Sequence, residues 1–302
     1  MVIYCKFYQG ESIMFKGSIV ALVTPMYGDG QIDYACLDQL VDFHLAEQTD
    51  GIVVLGTTGE WPTVTQAEFP EVISRVVARV NKRIPVIAGV AKNATAEAIS
   101  LAQEISQLAV DGLLIVTPYY NKPTQEGLYR HYMAIAEASA LPQILYNVPS
   151  RTVCDLLPAT VARLTKQVPH IIGIKETVSV ERVTQLVEAC GNIAIYCGND
   201  SINLPMLEAG ACGLISVTAN VAPRLLHDMC VAFFNGDIAT AEKIHAKLGL
   251  LHENLFIEPS PTPTKWVLSK LGLIDNVLRL PLLPLSEKFH SELKRAMDAA
   301  DL

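Results

Sequence analysis

A lysine that closes an apolar run is the residue in this chain whose setting most suggests chemistry. Lys175 follows Ile171, Ile172, Gly173 and Ile174 and precedes Glu176, in the stretch HIIGIKETVS. An ammonium is costly to bury, so a lysine here must be paired, must anchor a charged ligand, or must serve as an amine nucleophile. For the last role the amine has to be neutral when it meets a carbonyl, and surroundings poor in water disfavour the charged form. At the two-residue period of a strand, Ile171, Gly173 and Lys175 share one face and Glu176 takes the other. An ion pair with Glu176 therefore fits poorly, and Gly173 is expected to leave room for the lysine stem. Position alone leaves ion pair, anchor and nucleophile open.

Tyr146, in ILYNVPSRT, ends a second apolar run. A phenol can carry a proton to and from a carbinolamine when it is joined to further hydroxyls, and Thr57 and Tyr120 stand at run ends where they could extend such a chain. The plain alternative is a half-buried aromatic. GTTGEW sets Thr57 and Thr58 between Gly56 and Gly59, ahead of Glu60. Backbone N–H groups in such a turn can hold a carboxylate; the Gly-Lys-Ser/Thr ending of a phosphate loop is absent, and an ordinary strand-to-helix turn is the competing reading. Arg151, the sole arginine of YNVPSRTVC, has the fork geometry for a carboxylate, or it is a surface cation. Asn147 and Pro149 read as loop-shaping residues. YGDGQID lacks the remaining oxygen ligands and terminal glutamate of a calcium loop. The seven histidines form no ligand-spaced pair, so no metal is expected.

These residues need a scaffold that brings run ends together. GSIVALVT, GIVVLGTT, IPVIAGV, DGLLIVTPYY, LPQILYNVP, IIGIKE, IAIYCGND and CGLISVTAN are short runs rich in Ile, Val, Leu and Gly. They read as strands covered on both faces. Between them lie helix candidates at 94–108, 126–138, 160–166, 180–190 and 204–209. Eight strands alternating with helices predict an α/β fold, a (β/α)8 TIM barrel, in which strand C-termini converge on one rim. A doubly wound open sheet is less favoured without a dinucleotide fingerprint. After about Asn220 the strand pattern stops, and helices at 224–234, 238–253, 264–271 and 286–299 are expected, interrupted by EPSPTPTK and RLPLLPLS. Residues 14–222 are thus assigned to the barrel, with its final helix or helices free to extend further, and 223–302 to a C-terminal helical domain. Residues 1–13, ahead of the second methionine Met14, are read as a start-site artefact or a disordered arm.

The chain has 302 residues, 50% hydrophobic and 18% charged, which suits a globular enzyme with a substantial core. Lys+Arg 23 against Asp+Glu 31 gives a formal net charge of -8, with no basic stripe, so nucleic acid is excluded as a partner. No apolar run reaches the roughly 18 to 20 residues that span a bilayer, and the amino end lacks a signal core; a cytoplasmic location is expected. Cys5, Cys36, Cys154, Cys190, Cys197, Cys212 and Cys230 are odd in number and include no CxxC pair, which argues against a disulfide framework or a thiolate metal site. Most are read as small apolar fillers, with Cys197, near a strand end, the candidate for a reactive thiol.

From Met14 onward the sequence resembles the dihydrodipicolinate synthase family, class I aldolase-like enzymes of the N-acetylneuraminate lyase superfamily. The resemblance is carried by GSIVALVTPM, GTTGEWPTV, IPVIAGVAKNATAEAI, VTPYYNKPTQEGLYRHY, ILYNVPSRT, GIKE, GLISVTANV and EPSPTPTKWVLSKLGL, in that order. It implies that Lys175 forms an imine with pyruvate and that the derived enamine attacks L-aspartate 4-semialdehyde, with no separate cofactor. It further implies a proton relay of Tyr146, Thr57 and Tyr120, the last donated by a neighbouring subunit of a homo-oligomer that is commonly a dimer of dimers. Thr58 matches a residue that holds the pyruvate carboxylate, Arg151 one that recruits the semialdehyde, and Ile215 one whose carbonyl lines the site. Some members bind inhibitory lysine at positions matching Trp61, Pro62, Gln66, Phe69, Asn93, Glu97 and Tyr119. Trp61 replaces a small residue there and Phe69 a polar one, so weak or absent lysine inhibition is expected. Other pyruvate-dependent aldolases of the superfamily would share Lys175 and Tyr146, and the paired hydroxyls of GTTGE with Arg151 favour the synthase pattern over them. A binding protein on the same barrel would be expected to have lost some of these side chains, and a pyridoxal phosphate enzyme would need a phosphate cup that the sequence does not suggest.

Overall fold

The computed structural model describes residues 15–191 and 193–302. The extension over residues 1–13, with Cys5 and Met14, lies outside the described residues. Eight strands alternate with helices: β1 (Gly17–Ala21), α1 (Tyr34–Ala46), β2 (Gly51–Val54), α2 (Glu68–Val80), β3 (Val86–Val90), α3 (Thr95–Ile105), β4 (Gly112–Val116), α4 (Gln125–Ala138), β5 (Gln143–Asn147), the short α5 (Pro149–Thr152), α6 (Pro158–Gln167), β6 (Ile171–Glu176), α7 (Val180–Cys190), β7 (Ala194–Cys197), α8 (Asn203–Glu208) and β8 (Gly213–Ser216). Helices α9 (Pro223–Phe234), α10 (Ile238–Asn254), α11 (Thr262–Lys270) and α12 (His290–Ala299) follow. The strands close into a barrel in sequence order, as the eight apolar runs predict.

Every residue of β1 to β5 is buried, and β6 exposes only part of Ile172. That is why these strands read as continuous apolar runs and not as alternating ones. The helices carry their own start signals. Asp33 accepts from Cys36 N–H at 2.9 Å ahead of α1, and Thr124 from Gly127 N–H at 3.2 Å ahead of α4. Ser179 accepts from Arg182 N–H at 3.2 Å ahead of α7. Each satisfies an otherwise orphan first-turn donor.

By internal packing the chain divides into two compact units. One, residues 15–16 and 87–215, holds β4 to β7 whole and nearly all of β3 and β8. Its strand pairs are parallel, with Tyr146 opposite Lys175 and Asn147 opposite Glu176 between β5 and β6. The other, residues 17–86 and 216–302, pairs β1 with β2 in parallel. There α2 buries Phe69, Val72, Ile73, Val76 and Val80, and its outward Arg75 and Arg79 pair with Asp38 and Asp42 of α1. In the same unit α9 packs on β1 and on α10, and α10 packs on α12. No helix among the described residues is long and apolar enough to cross a membrane.

Candidate active site

In the unit of residues 87–215, β6 delivers Lys175 to a buried position, 5% exposed, beside Tyr146 at 7%. Its Nζ lies 4.4 Å from the centre of the Tyr146 ring. Glu176 is turned to the opposite face and fully committed there. Its carboxylate accepts from Asn147 Nδ2 at 3.0 Å, from Thr177 N–H at 2.8 Å and from Val178 N–H at 2.9 Å. Arg182 stands 3.9 Å away and makes a two-bond pair with Asp155 at 2.8 and 2.9 Å. Burial pushes the Glu176 carboxyl up from its ordinary range, against the pull of these donors. Within this unit, no carboxylate among the described residues is an ion-pair partner of Lys175. The amine is therefore buried against a π face with its sequence neighbour engaged elsewhere.

Room for the lysine stem comes from a glycine other than the expected one. A Cβ on Gly173 would meet the Ala194 carbonyl at 2.8 Å and the Tyr196 ring at 3.0 Å, so Gly173 admits β7 and not the lysine. A Cβ on Gly198 would stand 2.6 Å from Lys175 Cε and 3.0 Å from its Cγ. Gly198 follows β7 and its N–H donates to the Glu176 carbonyl at 2.8 Å. The signal was present in YCGND, a glycine just beyond a strand that pairs with β6, but only the pairing register reveals it. Cys197 is an apolar filler and not a reactive thiol: its side chain is fully buried, its Sγ lies 3.1 Å from the Asn199 carbonyl, and burial pushes its pKa up, which makes it inert.

After β5 the chain enters α5, whose first residue Pro149 suits a first helical turn. Arg151 is exposed on this turn. The turn is tied to the end of β4 by Thr117 Oγ1, which donates to Thr152 Oγ1 at 3.1 Å, and by Tyr120 N–H, which donates to the Thr152 carbonyl at 3.3 Å. Asn121 N–H bonds back to the Tyr119 carbonyl at 2.9 Å, with Tyr120 between them at φ 75°. That tight three-residue turn is strained for a bulky residue, and it presents a phenol that is 87% exposed. Within one chain Tyr120 is thus not packed with Lys175 and Tyr146. Ile215 sits fully buried on β8. Asn93 Nδ2 reaches the Tyr119 carbonyl at 3.5 Å, while Glu97 is exposed with Lys92 Nζ 3.9 Å away.

In the unit of residues 17–86 and 216–302, Thr57 is half-buried and Thr58 is 3% exposed in a compact turn after β2. Gly59 N–H donates to the Gly56 carbonyl and Glu60 N–H to the Thr57 carbonyl, each at 3.1 Å. Thr24 Oγ1 donates to the Gly59 carbonyl at 2.8 Å. A side chain on Gly59 would press within 3.1 Å of the Leu22 carbonyl and the Leu55 backbone, which is why this position takes a glycine. In the same unit Phe69 is buried, Trp61 half-buried, and Pro62 and Gln66 exposed. Glu60 and Lys265, neither singled out by sequence, form a fully buried ion pair.

The sequence model of the Dihydrodipicolinate synthetase family matches residues 14–300. The chain is 53% identical over 289 residues to the 4-hydroxy-tetrahydrodipicolinate synthase of Methylococcus capsulatus, covering 95% of this chain and 99% of that one. Among solved structures, the 4-hydroxy-tetrahydrodipicolinate synthase of Methylacidiphilum fumariolicum SolV superposes with a TM-score of 0.93 at 42% identity, over 95% of this chain and 96% of that one. The chloride-inhibited dihydrodipicolinate synthase of Acinetobacter baumannii, complexed with pyruvate, gives a TM-score of 0.93 at 46% identity, over 96% and 99% of the two chains.

Proposed function

The chain belongs to the dihydrodipicolinate synthetase family, and from that membership we propose how its residues divide the work of the reaction. The protein is a lyase of lysine and diaminopimelate biosynthesis that condenses pyruvate with L-aspartate 4-semialdehyde to (2S,4S)-4-hydroxy-2,3,4,5-tetrahydrodipicolinate. In our reading Lys175 Nζ adds to C2 of pyruvate, and loss of water gives an imine. Loss of a C3 proton gives the enamine, whose C3 bonds to the aldehyde carbon of the second substrate. The amine of that substrate then attacks C2, closes the ring and releases Lys175. The imine itself is the electron sink, so the scheme uses no resident cofactor.

Tyr146 moves protons at the carbinolamine and the imine, in a relay with Thr57 and with Tyr120 contributed by a second subunit. Thr58 holds the pyruvate carboxylate, Arg151 recruits the semialdehyde and the Ile215 carbonyl lines the site. The observation that carries this reading is the Lys175 amine, buried over the Tyr146 ring while Glu176 is bound elsewhere. The pyruvate held by the Acinetobacter baumannii relative favours the keto acid as first substrate. An exposed, strained Tyr120 favours a dimer as the smallest complete unit, within a dimer of dimers. Steady-state assays of pyruvate plus aspartate semialdehyde, set against cleavage of N-acetylneuraminate, test the assignment. Turnover with the sugar acid alone would overturn it.

A lysine site at Trp61, Pro62, Gln66, Phe69, Asn93, Glu97 and Tyr119 is the one regulatory feature of the family pattern. Phe69 is 6% exposed on the buried face of α2, so its ring offers no polar group to an incoming ammonium or carboxylate. The reading is that lysine inhibits this enzyme weakly or not at all.

A further inference from the structure

Glu60 and Lys265 carry charges with no role in the chemistry above, and both side chains are fully buried. The Glu60 carboxylate pairs with Lys265 Nζ and accepts from Arg279 N–H at 3.2 Å. Lys265, on α11, donates in addition to the Val277 carbonyl at 2.8 Å. The Arg279 side chain fastens the same region, donating to the Thr63 carbonyl at 2.7 Å and to both Glu68 oxygens at 2.8 and 2.6 Å. A buried ion pair is a poor stabiliser, since apolar replacements of similar volume commonly serve as well, and its clearest use is to fix one conformation.

The conformation fixed here is unusual. Glu60 has φ 58° and ψ 34°, the left-handed region that a side-chain-bearing residue adopts only under constraint. From that conformation its N–H reaches the Thr57 carbonyl, and its own carbonyl accepts from Thr63 and Val64 N–H at 3.0 and 3.2 Å. Released from Lys265, Glu60 would gain by relaxing to negative φ, and the bond that sets the Thr57 peptide would go with it. We propose that the Glu60–Lys265 pair is a positioning device, through which α11 holds the Thr57–Thr58 turn in shape for the pyruvate carboxylate. The proposal rests on the reading that this turn serves pyruvate.

The test uses Lys265→Met, Glu60→Gln, and the double variant carrying both, in the full-length enzyme. Each is measured for thermal midpoint, for KM of pyruvate, and for the half-saturating pyruvate in borohydride trapping of Lys175. Misplacement of a binding group by about 1 Å costs up to about 10²-fold. Each single variant is accordingly expected to raise pyruvate KM by at least about tenfold, with trapping retained at saturating pyruvate. The double variant removes the unpaired buried charge, so its thermal midpoint should recover toward wild type while pyruvate KM stays raised. A purely structural pair would show the opposite, with KM returning to wild type alongside the midpoint. Pyruvate KM within twofold of wild type in either folded single variant would overturn the proposal. Should Thr57→Ala and Thr58→Ala leave pyruvate binding unchanged, the parent reading of the turn fails instead, whatever the ion-pair variants do.

Discussion

Gly198→Ala is the sharpest single-atom perturbation of the lysine. The new methyl would stand 2.6 Å from Lys175 Cε, 3.0 Å from Lys175 Cγ and 2.8 Å from Thr177 Cγ2. Carbon atoms pack at about 3.5–4.0 Å, so the nearest contact falls short by about 1 Å. Thr177 cannot easily give way, because its hydroxyl donates to the Asn147 carbonyl at 3.0 Å and its N–H to Glu176. The flexible partner is the lysine stem, which must retreat and carry Nζ with it. A displacement of about 1 Å at a reacting atom costs about 10²-fold in rate, whereas overpacking by one methyl costs about 1–3 kcal/mol of stability. The variant should therefore fold, with kcat and the single-turnover rate of borohydride-trapped imine both down about 100-fold. Rapid-quench trapping and a urea melt measure the two sides. A folded variant with kcat and trapping within twofold of wild type would refute the claim that Gly198 sets the position of the amine.

Tyr146→Phe keeps the ring over Nζ and removes only the hydroxyl; kcat should drop about 10²- to 10⁴-fold with the thermal midpoint nearly unchanged, and a smaller loss would remove the phenol from the relay. Val153, a β-branched residue, closes α5 at φ 55° and is 60% exposed. Val153→Gly should gain about 1 kcal/mol in a urea melt, the relieved strain being partly offset by the entropy of glycine, and a loss would count against strain at this site. His44 is fully buried with Nδ1 2.9 Å from Thr49 Oγ1, and burial lowers its pKa to about 3 from 6.5. Its neutral form thus contributes stability that is complete above the unfolded value and is lost as pH falls toward the folded one. Between pH 7 and pH 5 wild type should lose about 2 kcal/mol through this group, and His44→Gln should lose correspondingly less; equal losses would refute the assignment. A lysine titration should leave the condensation rate unaffected in the submillimolar range, and strong inhibition there would show that Phe69 and Trp61 do not block the site.

Much of this architecture was legible because parallel strands buried on both faces leave an unmistakable trace. IIGIKE became β6 residue for residue, and the two-residue period placed Glu176 opposite to Lys175, as found. Sequence reasoning failed where the determining contact joins distant segments. Gly173 shares a face with Lys175, yet the space beside the stem is set by Gly198, just past the end of the next strand, a relation that follows from pairing register. Lys265 lies in EPSPTPTK, where prolines suggested an interruption; Pro263 instead occupies the first turn of α11, where its missing N–H costs nothing. The helix therefore starts at Thr262 and carries Lys265 inward to Glu60. The expected helix at 286–299 begins with a tight turn at Glu287–Phe289, and α12 proper starts at His290.

The proposed chemistry requires the buried amine of Lys175 to bond covalently to pyruvate. Borohydride reduction of the pyruvate-saturated enzyme, followed by intact-mass measurement and peptide mapping, reads this directly. The expected result is a single reduced adduct per chain, located on Lys175 and lost in Lys175→Ala. Folded, pyruvate-saturated protein that leaves Lys175 unlabelled would contradict it.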